Sequence, residues 1–127
     1  MIALCQSGDE VILPTPWYFN NAMVLSQLSI SLLPLPCSPP FFLPSPSIAR
    51  SLITPRTKAI VLVSPNNPTG AIYPKELLKE FAELAKKKGI ALVLDETYRE
   101  FAEGRPHDLF EDQEWRDCLI HLFSFSK

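Results

Sequence analysis

Three short runs in this chain are apolar on nearly every side chain: AIVLVS (59–64), IALVLD (90–95) and CLIHLF (118–123). A strand with one face in water alternates apolar and polar residues, whereas a run apolar on both faces needs cover on both. Strands of that kind belong to parallel sheets, whose neighbours are joined by crossovers that lie over the sheet. The intervening sequence supplies such a crossover. Leu77, Leu78, Phe81, Leu84 and Ala85 form one stripe at helical spacing, with Pro74 in the first turn, Lys86–Lys88 in the last turn and Gly89 as the stop. EVILP (10–14) and SISLLPL (29–35) read as two more strands. Apolar spacing from Tyr18 to Leu28 (Tyr18, Ala22, Leu25, with Met23 beside them) predicts a helix, and Ser47–Ile53 a short one. MIALCQSGDE, at the start, reads as the tail of a helix ending near Gly8. The predicted fold class is α/β, a mostly parallel sheet flanked by helices.

At 127 residues the chain is one domain or part of one. A net charge of −2 gives no electrostatic reason to expect nucleic acid or an anionic membrane as partner. No run approaches the roughly 18 apolar residues of a membrane span. The first ten residues lack the basic region and apolar core of a signal peptide. Cys5, Cys37 and Cys118 are odd in number and far apart, which predicts neither a zinc site nor a disulfide frame and points to a reducing, cytoplasmic compartment. PLPCSPPFFLPSP (34–46) carries six of the 13 prolines. Proline fixes φ and removes a donor, so an extended loop is expected there, pinned to the body by Phe41, Phe42 and Leu43. A ligand for a polyproline-reading domain is the alternative.

Parallel sheets bind ligands beyond the carboxyl ends of their strands. Three segments stand there: SPNNPTG (64–70), DETY (95–98) and SFSK (124–127). Each has an ordinary reading. Asn-Pro and Thr-Gly are turn dipeptides, a strand-end aspartate faces water as readily as a ligand, and a lysine after a strand is commonly a surface residue. Each also has a chemical reading. The Asn67 amide stands beside the rigid Pro68, Asp95 is a carboxylate able to await a cation, and Tyr98 lies within one helical turn of it. Lys127 is an amine that a partly buried site would bring toward the free base. His121 reads as a satisfied core residue in mid-strand, and His107 as a loop residue.

Taken in order, NNPTG, then D-x-x-Y, then S-x-S-K resemble the fold-type I pyridoxal-phosphate enzymes, and more narrowly the class I and II aminotransferases. GDEVILPTPWYFN near the start is similar to the same family's strand-and-aromatic segment, so the resemblance runs from Gly8 to Lys127. It implies that residues 1–127 are a partial large domain binding pyridoxal 5′-phosphate, active in amino transfer between an amino acid and a 2-oxo acid. It implies a catalytic Lys127 that bonds to the cofactor aldehyde and moves a proton. Asp95 would pair with the pyridine nitrogen, and Asn67 and Tyr98 would donate to the phenolic oxygen. Tyr18 would stack on the ring, with Trp17 as competitor. Ser124, and more weakly Ser126, would contact the phosphate. A homodimer is implied for a full-length protein.

The chain departs from that family mainly in what it lacks: an upstream phosphate-binding turn and the arginines that would follow Lys127. These 127 residues alone are therefore expected not to catalyse transamination. A lyase of the same fold would share the same residues, and a truncated product without activity is the reading from another class. A dinucleotide-binding domain fails on sequence, since no G-x-G-x-x-G occurs among only four glycines.

Overall fold

The computed structural model describes residues 1, 3–102 and 107–125. Five strands, β1 (Glu10–Pro14), β2 (Ser31–Leu35), β3 (Thr57–Val63), β4 (Ala91–Asp95) and β5 (Leu119–Leu122), form one sheet. Their spatial order is β2-β1-β3-β4-β5, and every pairing is parallel. Helices α1 (Phe19–Gln27), α2 (Pro46–Leu52) and α3 (Lys75–Lys88) make crossovers, and three single 3-10 turns lie between β4 and β5.

Side-chain alternation along the strands divides the core into two halves. On one face Ile12, Ile60, Leu62, Leu92 and Leu94 pack with Ala49 of α2 and with Leu78, Phe81 and Leu84 of α3. On the other, Val11, Leu13, Ala59, Val61 and Val93 pack with Leu25 of α1. Each large apolar side chain fully buried in this way contributes roughly 1.5–3 kcal/mol. The sheet is thus doubly wound, with its order reversing between β1 and β3, where folds of this type open their ligand crevice.

The α3 stripe is buried as its spacing predicts, except that Leu77 is only half-buried. Pro74 stands at the N-cap, one residue ahead of the predicted first turn. Gly89 adopts φ 64°, and Ile90 N donates to Ala85 O at 3.1 Å across it, a helix stop that glycine makes without Cβ strain. At the same amino edge of the sheet, Glu10 is buried. Its carboxylate accepts from Arg56 Nε at 3.0 Å and Nη2 at 2.6 Å, from Thr57 Oγ1 at 3.3 Å, and from the Thr54 hydroxyl.

Three expectations change. Among the described residues the start forms turns in place of the expected helix, with Leu4 N and Cys5 N both donating to Met1 O, at 2.9 and 3.0 Å. In the proline segment, Phe42 N donates to Ser38 O at 3.0 Å and closes a turn that leaves Phe41 73% exposed and Leu43 exposed as well. Of the three expected anchors only Phe42 is half-buried, and Pro44 beside them is buried. Among the described residues β5 pairs on one side only, with β4, and Leu122 and Phe123 are exposed although the run is apolar. Among the described residues, no helix is long and apolar enough to cross a membrane.

Candidate active site

Register brings the carboxyl ends of β3, β4 and β5 level, with Val63 beside Asp95 and Asp95 beside Leu122. The loop after β3 is held by its own polar groups. Asn66 Oδ1 accepts from Thr69 Oγ1 at 2.8 Å and Thr69 N at 3.3 Å, Asn66 N donates to Ala71 O, and Gly70 N donates to Asn66 O. Buried Ser64 accepts from Tyr73 N at 2.9 Å. Asn66 is therefore the loop's internal brace, and its neighbour Asn67 is half-buried with its amide outside that network.

Asp95 is clamped through its backbone. Its carbonyl accepts from Ser64 N at 3.0 Å, and the following amide, Glu96 N, donates to Leu122 O at 2.9 Å. Its side-chain Oδ1 accepts from Thr97 N at 2.9 Å and Thr97 Oγ1 at 2.7 Å, while Oδ2 takes no hydrogen bond among the described residues. Asp95 lines a cleft of about 270 Å³ whose other walls include Leu13, Val61, Val93 and Ile120. A carboxylate fixed by one oxygen, with the other free of hydrogen bonds among the described residues, beside an apolar cleft is an acceptor that fits a flat ring bearing a protonated nitrogen.

Of the predicted site residues, only Asp95 lines this cleft among the described residues. Tyr98 is half-buried, three residues beyond Asp95, with its ring 6.2 Å from that of Phe101. Tyr18 caps α1 and is 38% exposed, its hydroxyl accepting from Asn20 Nδ2 at 3.1 Å and its ring edge-on to Phe19. Trp17 instead packs against the second core cluster. Ser124 is half-buried, two residues past β5. Ser126 and Lys127 lie outside the described residues. Asn67, Asp95, Tyr98 and Ser124 share one edge of the sheet through the strand register, and Tyr18 follows β1 at that same edge. A larger groove of about 790 Å³ runs between α3 and the 108–119 segment, rimmed by Lys79, Glu83 and Lys86, and holds none of these residues.

Sequence reasoning missed one constellation. Glu96 is 1% exposed, on the face opposite Asp95, and its Oε2 lies 2.6 Å from His121 Nε2 and 3.3 Å from His107 Nε2. Burial pushes the Glu96 carboxyl up, but hydrogen bonds and charge from His107 and His121 together hold it below the ordinary range. Phe110 stands edge-on to His121 and tilted to His107, each at 5.3 Å. The available signal was a histidine in an otherwise apolar strand, whose ring nitrogens need a partner when buried.

The family model for class I and II aminotransferases matches residues 1–127. The chain is 42% identical over 97 residues to the aspartate/prephenate aminotransferase of Thermus thermophilus, covering 76% of this chain and 25% of that protein. It is 42% identical over 100 residues to the glutamate-pyruvate aminotransferase AlaA of Escherichia coli strain K12, covering 77% and 24%. A tetra mutant of Thermus thermophilus aspartate aminotransferase complexed with tryptophan superposes with a TM-score of 0.87 at 34% identity, covering 98% of this chain and 33% of that one. The chain thus spans about a quarter of the length of the curated relatives it matches.

Proposed function

The chain belongs to the class I and II aminotransferase family, and from that membership we propose that it is part of a large domain that binds pyridoxal 5′-phosphate for amino transfer. The whole protein would move an amino group between an amino acid and a 2-oxo acid. The observation that carries the reading is Asp95: a carboxylate braced by Thr97 at the end of a buried parallel strand, with Oδ2 uncommitted at an apolar cleft.

When bound, pyridoxal phosphate supplies an aldehyde and an electron-accepting ring. The chain's own residues would hold it and move the proton. Asp95 would keep a proton on the ring nitrogen by charge, a hydrogen bond of roughly 1.5–3 kcal/mol. The Asn67 amide and the Tyr98 hydroxyl would donate to the ring's phenolic oxygen. Tyr18 would cover one face of the ring, and the cleft's aliphatic walls would exclude water. Ser124 and Ser126 would donate to the phosphate. Lys127 would hold the aldehyde through Nζ, with water as the leaving group, and once the substrate amine takes its place its free amine would move a proton, general acid–base catalysis worth about 10²–10⁴ in rate.

The relatives' names carry different substrates, aspartate and prephenate in one and glutamate and pyruvate in the other, so the amino donor is left at the class of amino acids. A cytoplasmic homodimer completes the proposal, supported for its compartment by three cysteines that are all free. The test is incubation with pyridoxal phosphate, borohydride reduction and peptide mapping. The pyridoxyl group is expected on Lys127; finding it on Lys58 or Lys75 instead would overturn the site.

A further inference from the structure

An aspartate does not fix the plane of its own carboxylate, because its terminal torsion is broad and roughly two-fold. The main chain around Asp95 is already held. Asp95 O accepts from Ser64 N at 3.0 Å, Glu96 N donates to Leu122 O at 2.9 Å, and Glu96 O accepts from Arg99 N at 3.0 Å. None of these bonds involves Thr97, and none reaches the carboxylate. Among the described residues, Thr97 alone orients that group. It gives two donors, N at 2.9 Å and Oγ1 at 2.7 Å, and both fall on Oδ1.

The two bonds differ in what they require of the sequence. The bond from Thr97 N belongs to the backbone turn, and any residue but proline would make it. A single bond to one oxygen leaves the carboxylate able to swing about that contact. The hydroxyl adds a second anchor from another direction, at the short distance of a charge-assisted bond. Threonine is β-branched and stiff at χ1, so this hydroxyl is itself held in place. Oδ1 is thus committed twice, while Oδ2 takes no hydrogen bond among the described residues and Asp95 lines the apolar cleft. Thr97 is not among the described residues that line the cleft, so its effect on a ligand passes through Asp95.

We propose that Thr97 is a positioning residue for the cofactor: its hydroxyl locks the Asp95 carboxylate in the plane that offers Oδ2 to the protonated ring nitrogen of pyridoxal phosphate. Asp95 supplies the charge and Thr97 its direction. The inference rests on the cofactor-site reading of Asp95, which the wild-type protein tests on its own.

The experiment compares wild type, T97V and T97S in the whole protein. Valine keeps the shape, the stiff χ1 and the backbone N–H but has no hydroxyl, whereas serine keeps the hydroxyl. Spectroscopic titration of the apoproteins with pyridoxal phosphate gives Kd, nitrogen NMR of ring-labelled cofactor reads the ring proton, and thermal unfolding of the apoproteins reads the fold. T97V is expected to raise Kd about three- to tenfold, the scale of one hydrogen bond, and to move the ring-nitrogen signal toward its unprotonated position. It should lower kcat roughly ten- to hundredfold, with KM for the amino acid within about twofold of wild type. T97S should stay within about threefold of wild type in both Kd and kcat. The apoprotein Tm of T97V should lie within about 3 °C of wild type. A T97V protein equal to wild type in Kd and ring-nitrogen signal, or a T97S protein no better than T97V, overturns the proposal. A T97V apoprotein that melts far below wild type assigns the hydroxyl to the turn itself and overturns it as well. A wild-type protein that takes up no cofactor, or holds it with an unprotonated ring nitrogen, refutes the cofactor-site reading of Asp95 and with it the role of Thr97.

Discussion

Replacing Asp95 by asparagine separates charge from shape at the proposed cofactor site. In the wild type Oδ1 accepts from Thr97 N at 2.9 Å and Thr97 Oγ1 at 2.7 Å. An asparagine carbonyl accepts both bonds in the same place, so the turn after β4 persists. Its amide nitrogen then replaces Oδ2 at the cleft and presents a donor to a protonated ring nitrogen, which is itself a donor. The exchange forfeits a charge-assisted hydrogen bond of roughly 1.5–3 kcal/mol. Since about 1.4 kcal/mol is tenfold in affinity, Kd for pyridoxal phosphate should rise about ten- to hundredfold. The assay is a spectroscopic titration of apo wild type and D95N, with thermal unfolding of both apoproteins beside it. Stability of the apoproteins should agree within about 0.5 kcal/mol. An unchanged Kd would refute the pairing with the ring nitrogen. A large loss of apoprotein stability would mean that Asp95 serves the fold through its charge.

The two neighbouring asparagines should part company. N66A removes the acceptor for Thr69 N and Thr69 Oγ1 and should cost about 1–3 kcal/mol in urea unfolding, whereas N67A should leave stability within about 0.5 kcal/mol and weaken cofactor binding. The acid limb of stability should depend on Glu10. Hydrogen bonds from Thr54 and Arg56, with the Arg56 charge, hold its carboxyl below the ordinary range against burial. A carboxyl depressed in the folded state contributes stability above its unfolded pKa and loses it as pH falls through the folded value. The stability gap between wild type and E10Q should therefore narrow on acidification, and a gap constant with pH would refute the assignment.

The fold was legible because its strongest signals are local. Runs such as AIVLV cannot sit anywhere but between two covered faces, and the α3 stripe ends at a glycine that occupies the left-handed region. The segments that misled are those whose fate depends on distant cover. MIALC has helical composition but forms turns among its described residues, and Phe41 is apolar yet turned outward by the chain reversal that Phe42 N closes. At the site, Asp95 and Asn67 could be singled out because strand ends in a parallel sheet are privileged positions. The Glu96 cluster could not, since its members are drawn from a strand end, a loop and a second strand, and only the β4–β5 register brings them together. Likewise Asn66 and Asn67 are indistinguishable as letters, and the bond from Thr69 to Asn66 Oδ1 is what assigns Asn66 to the loop and leaves Asn67 outside that network.

The all-parallel pairing also governs how the chain can reach this state. No two neighbours in the sheet can meet through a tight hairpin, because each strand must first travel back to the amino edge before its partner begins. Every ladder therefore closes a long loop, and the entropy of that closure is met before any strand bond repays it. The β3–α3–β4 unit is best equipped to go first, since α3 carries its own stop and a ready apolar face for both strands. Among the described residues β5 pairs with β4 and with no other strand, so its ladder forms only on a β4 already in place. The β4–β5 ladder that flanks Asp95 is thus closed after the β3–β4 ladder.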